Sequence, residues 1–182
     1  VLQSVSPAVT NRAIYKPLRA MFTGMPFAQK WIPYDKYTES SLNLEDSLQL
    51  VPLIAREEAI LGQAIAGGLL DEVNFMDVIE QSKLVAGQSG LGGRYDQAEI
   101  IYNSVSRRIG SRFITQGANL GTLCVSSSVR YEGDFLDRLK AKAVKDNDTE
   151  VCIYWKKQYD VQPENKYSGQ KFPLLIGNTY NP

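Results

Sequence analysis

Two short clusters carry the residue types from which phosphate chemistry can be built. The first is Asp71 and Glu72, side by side at the end of the apolar run AIAGGLL (64–70). The second is the row Ser126, Ser127 and Ser128, which closes the run GTLCV (121–125). Successive residues of a strand point to opposite faces, so adjacent acids can take different tasks. One can hold a hydrated Mg²⁺, a hard cation that favours carboxylate and water. The other can polarise a water attacking a phosphate. The serines could hydrogen-bond that water or sense the phosphate, provided the two runs are neighbours in one sheet. A plainer reading stays open: Asp71 caps a turn, Glu72 points to water, and the serines mark a strand-end turn.

These residues need a frame. Ser6-Pro7 reads as an N-cap followed by proline at the first helical position, and Gly24 ends the helix. Pro17 inside it predicts a kink or a split. Residues 25–48 read as a long surface excursion, and LQLVPLI (48–54) as an edge strand containing Pro52. AIAGGLL is apolar on both faces, as a buried parallel strand must be. Gly67 and Gly68 weaken such a strand unless another backbone comes close. DVIE (77–80) has a capping-box pattern and predicts a short helix ending near Gly87. The glycine-rich stretch AGQSGLGG (86–93) reads as a mobile loop. DQAE (96–99) opens an amphipathic helix with Ala98, Ile101, Tyr102, Val105 and Ile109 on one face, closed by Gly110. GTLCVSSS is a strand, GDFLDRLKAKA (133–143) a helix, EVCIYW (150–155) a strand, and FPLLIG (172–177) a candidate last strand. Strands alternating with helices predict an α/β fold with a mostly parallel sheet and flanking helices.

Composition narrows the chemistry. The 182 residues fit one domain, and 43% hydrophobic residues suffice for a core. Twenty basic and twenty acidic residues cancel, so net charge gives no argument for nucleic acid. With no histidine, His-ligated zinc and Ser-His-Asp or Cys-His machinery are excluded within this chain. Cys124 and Cys152 lie in apolar, strand-like runs and are expected as buried free thiols, which suits a reducing cytoplasm. No apolar run reaches the length of a membrane-spanning helix. The N-terminus lacks a signal-peptide layout and an initiator methionine, which points to a fragment or an excised domain.

The order of features resembles the large terminase subunit of tailed bacteriophages, the DNA-packaging motor. The resemblance rests on REEAILGQAIAGGLLDEVNFM (56–76), SVSRRIGSRF (104–113), GTLCVSSSVRYEGDFLDRL (121–139) and WKKQYDVQPENKYSGQKFPLLIGN (155–178). It implies a P-loop ATPase of the ASCE type, in which four hydrophobic-type residues followed by Asp-Glu form the Walker B motif. By position, Asp71 would hold Mg²⁺, Glu72 would orient the water, and Ser126, Ser127 and Ser128 would couple hydrolysis to movement on DNA. The family also uses an arginine near the γ-phosphate, for which Arg56 is the nearest candidate; its plain reading is a surface arginine. Arg107, Arg108 and Arg112 could track phosphates of DNA or meet a neighbouring subunit, or simply form a solvated helix end.

The sequence departs from that pattern in one major respect. A phosphate loop requires G-x-x-x-x-G-K-[ST], and no Gly-Lys dipeptide occurs. The stretch 86–94 is rejected as a substitute because it lacks lysine and does not follow a strand. The resemblance therefore implies residues 1–155 as the part of the ATPase domain downstream of the phosphate loop, and 156–182 as the start of a linker towards a nuclease domain. ATP would be the substrate and Mg²⁺ the cofactor, with the isolated chain inactive. The implied partners are double-stranded DNA, the portal and the small terminase subunit, in a homo-oligomeric ring in the cytoplasm of an infected bacterium. Two other readings remain: another ASCE-type DNA translocase or helicase, and a non-catalytic α/β interaction module. Adjacency of the 64–70 and 120–126 strands separates the last from the others.

Overall fold

The computed structural model describes residues 1–35, 38–44, 48–53, 60, 62–82, 93–115, 118–162 and 164–166. Two compact units divide it, Val1–Lys142 and Ala143–Pro182. Strand β1 is Leu2–Gln3, followed by α1 (Pro7–Val9), a π-helical segment (Thr10–Tyr15), α2 (Lys16–Gly24) and α3 (Pro26–Trp31). Strands β2 (Leu42–Asn43), β3 (Gln49–Leu50), β4 (Gly67–Asp71), β5 (Val78–Ser82) and β6 (Gly93–Asp96) come next. Then come α4 (Gln97–Arg112), β7 (Ile114–Thr115), β8 (Ala118–Asn119), β9 (Thr122–Ser126), α5 (Phe135–Asp146) and α6 (Gln158–Val161).

The central sheet is parallel, in the order β1-β4-β9, with Asp71 opposite Ser126 at its carboxyl end. Helices cover it, so the α/β class expected from the sequence holds at this level. Leu70 faces a core built with Ile101, Val105 and Ile109 of α4 and Phe135 of α5. Its neighbour Leu69 faces the other way, against a cluster of Leu2, Tyr15 and Leu42 that also holds Ile14, Leu18 and Phe22. This alternation explains why the strand is apolar on both faces.

The two strand glycines meet close neighbours. A Cβ on Gly67 would stand 3.0 Å from the Thr122 carbonyl oxygen, and one on Gly68 would stand 3.1 Å from a Val1 methyl. Gly121, just before β9, is tighter still: a Cβ there would overlap Ile109 at 2.1 Å and lie 2.8 Å from the Ala66 carbonyl oxygen. The C-terminal half of α4 is thereby fixed against the amino ends of β4 and β9.

Several local expectations are corrected. The chain does not break at Pro17. It widens into the π-helical segment immediately before it, where the Lys16 N–H bonds to the Asn11 carbonyl. A proline ring in a regular α-helix would press on the carbonyl four residues earlier, and the wider turn precedes that point. Residues 77–80 are not a helix start, because Val78–Ser82 pairs antiparallel with β6. Asp77 and Gln97 exchange hydrogen bonds, Asp77 N–H to Gln97 Oε1 and Gln97 N–H to the Asp77 carbonyl, both 3.0 Å. Tertiary pairing of the β-branched Val78 and Ile79 overrides the cap pattern.

Gly110 does not end α4, which runs to Arg112 with Phe113 as its C-cap. Residues 150–155 form no strand, and Tyr154 is 80% exposed. Cys124 and Cys152 are both exposed, not buried. On β9, Leu123 and Val125 pack against the core while Thr122 and Cys124 are exposed, so a cysteine in an apolar run is not thereby buried. The excursion 25–48 contains α3 and β2, with Ala28 and Leu42 buried. The candidate strand 172–177 and residues 86–92 of the expected loop lie outside the described residues, while Gly93, at its end, opens β6.

Candidate functional site

The parallel register places the two clusters together. Because Asp71 pairs with Ser126 across β4 and β9, both chains leave the sheet at the same level. Ser126 Oγ donates to Asp71 Oδ1 at 2.6 Å, the short range of a hydroxyl on a carboxylate. Ser127 Oγ approaches Glu72 Oε2 at 3.5 Å, a long contact, and also accepts the Asn74 N–H at 3.2 Å. Asp71, Glu72, Ser126 and Ser127 are half-buried, and Ser128 is exposed. The cluster is therefore reachable from solvent.

Glu72 is where the strand turns. Its backbone is left-handed, with φ 54° and ψ 37°, an uncommon conformation for a residue with a side chain. The turn continues as a short 3-10 segment, Val73–Phe75, in which the Phe75 N–H reaches the Glu72 carbonyl at 3.0 Å. Left-handed geometry at this point swings the Glu72 side chain away from the line of the strand and over the serine row. Glycine or asparagine would adopt it at less cost.

The arginines singled out in the sequence are not part of this cluster. Arg107, Arg108 and Arg112 ride the C-terminal half of α4, which packs at the amino ends of the strands through Ile109. The acids stand at the carboxyl ends. Arg56 lies outside the described residues. Sequence reasoning missed two residues at the acid end. Arg130 sets its guanidinium 5.6 Å from the ring centroids of Phe75 and Tyr131, within cation–π range. Asn74 is buried, and its side chain spans from the Ser128 carbonyl to the start of α5. The clue for both was adjacency: Asn74 follows the acid pair by two residues and Arg130 follows the serine row by two.

Another basic residue near this end, Arg138, is engaged by acids. It pairs with the buried Asp96, which also caps α4 by accepting the Glu99 N–H at 3.2 Å. Arg138 also meets Glu99 at 3.5 Å. These contacts join α4 to α5.

Among the described residues, no three His, Cys, Asp or Glu side chains converge to enclose a metal ion. Mg²⁺ does not require that, since it keeps several waters and takes one or two carboxylates together with phosphate oxygens. Asp71 and Ser126 supply hard oxygen donors of the right kind.

Comparison with models of known families, with characterised proteins and with solved structures gave no match. Among the described residues, no helix is long and apolar enough to cross a membrane.

Proposed function

We propose that this chain is the part of a DNA-packaging motor ATPase downstream of its phosphate loop. The observation that carries the reading is the Asp71–Ser126 hydrogen bond at the carboxyl end of two adjacent parallel strands. Ligands of open α/β sheets bind at that edge. An acid pair facing hydroxyls there suits phosphoryl transfer, in which positioning and charge stabilisation do most of the work.

In this reading Asp71, with Ser126 beside it, would hold Mg²⁺, which would neutralise charge on the phosphate oxygens. Glu72 accepts a hydrogen bond from the attacking water and turns its lone pair towards the γ-phosphate. Ser127 contacts the Glu72 carboxylate and is placed to register whether phosphate is present. Double-stranded DNA is the proposed track, with the portal, the small terminase subunit and further copies of the motor as partners by resemblance. The reading requires a phosphate loop supplied by residues outside 1–182.

The test uses the protein that carries that loop. Glu72→Gln keeps the size of the side chain and removes the base. Nucleotide affinity should stay within about threefold, while turnover falls by roughly a hundredfold or more. Wild-type turnover in the Gln variant defeats the assignment.

A further inference from the structure

Asn74 makes three hydrogen bonds to two distant segments. Its backbone N–H donates to Ser127 Oγ at 3.2 Å, its Nδ2 donates to the Ser128 carbonyl at 3.0 Å, and its Oδ1 accepts the Leu136 N–H at 3.1 Å. The residue is 5% exposed. The amide orientation is fixed by its partners. Reversing it would set NH₂ against the Leu136 N–H and oxygen against the Ser128 carbonyl.

Leu136 lies in the first turn of α5, where backbone donors have no partner within the helix. The helix caps itself only in part: Asp134 Oδ1 accepts the Asp137 N–H at 3.1 Å. The Leu136 donor is left to Asn74, 62 residues earlier in the chain. One buried side chain thus joins the turn that carries Glu72, the end of the serine row and the start of α5.

We infer that Asn74 is a positioning residue that locks the acid turn to the serine row and to α5, so that a change at either acid is passed to the helix. Its role in turnover rests on the ATPase reading above, but the three-way tie does not. A bland alternative is that Asn74 merely starts α5.

Asn74→Asp separates the two. Aspartate keeps an acceptor for Leu136, and a negative charge suits a helix N-terminus. It loses the donor to Ser128. In the 182-residue chain, the carbonyl-carbon and amide NMR shifts of Ser127–Val129 should move and those of Asp134–Asp137 should stay, while Tm falls because an acceptor now faces the Ser128 carbonyl. In the protein with its phosphate loop, kcat should fall about tenfold or more with KM for ATP within about twofold. Asn74→Ala adds no charge and should lower kcat as far. Unmoved serine shifts, or wild-type kcat in the Ala variant, overturn the inference. Glu72→Gln is assayed alongside. If it hydrolyses ATP normally, the ATPase reading has failed; if it is dead while both Asn74 variants work, only the role of Asn74 has.

Discussion

At the scale of single residues, Glu72 carries a conformational cost that its neighbours do not relieve. A side chain in the left-handed region is less stable than glycine there by about 1 kcal/mol. Glu72→Gly should therefore raise stability by about that amount in denaturant titration, while removing the carboxylate that the proposed chemistry needs. A gain in stability coupled to a loss of turnover is the pattern of a strained functional residue. A substitution that lowers stability would mean that the Glu72 side chain supports the fold. The exposed cysteines give a second check at this scale. Cys124 and Cys152 should both react with a thiol reagent in the folded protein, at rates close to those of an unfolded control. Slow reaction of Cys124 would show that something covers the outer face of β9.

At the scale of elements, two glycines at the same end of α4 should respond in opposite ways. Gly110 lies inside the helix, and an added Cβ would meet nothing within 4 Å. Gly110→Ala should stabilise by about 0.5–1 kcal/mol through helix propensity and a less free unfolded chain. Gly121 is where the Ile109 side chain enters the gap between α4 and β9. Gly121→Ala should cost about 1–3 kcal/mol, since Ile109 or the strand must shift. Thermal or urea unfolding of both variants measures the pair. Equal effects would contradict the packing of α4 against the amino ends of the strands. The sequence reading placed the helix stop at Gly110 because glycine is the usual terminator. Here the helical hydrogen bonding continues past it, up to the Phe113 N–H on the Ile109 carbonyl. The capping-box pattern at 77–80 failed because the Asp77 N–H it would satisfy is taken by Gln97 Oε1, and Val78 and Ile79 pair with β6.

At the scale of the molecule, the first unit holds two cores on opposite faces of one sheet. Tyr15 sits in the smaller core and is 2% exposed. Burial pushes its hydroxyl above the ordinary 10.0, against the opposing pull of the Arg19 guanidinium. The folded state therefore holds this proton more tightly than the unfolded chain. Its contribution to stability is full below pH 10 and is lost as pH rises through 10 towards the folded-state value. Tyr15→Phe should flatten that alkaline decline relative to the wild type in pH-dependent unfolding. An unchanged alkaline slope would exclude Tyr15 as its source.

Much of this was legible in the chain itself, because it depended on local chemistry. Apolar residues on both faces of 64–70 demanded a strand covered on two sides, and Asp96 with Glu99 demanded a helix start. Adjacent acids and a serine row named the chemistry to look for. Only the tertiary structure could decide which ends meet. Parallel pairing of β4 with β9 sets Asp71 against Ser126, and the antiparallel course of α4 carries Arg107, Arg108 and Arg112 to the opposite edge. Asn74 shows the same division. Its type is written in the sequence, but its three partners lie 53 to 62 residues away, at distances that no local pattern encodes.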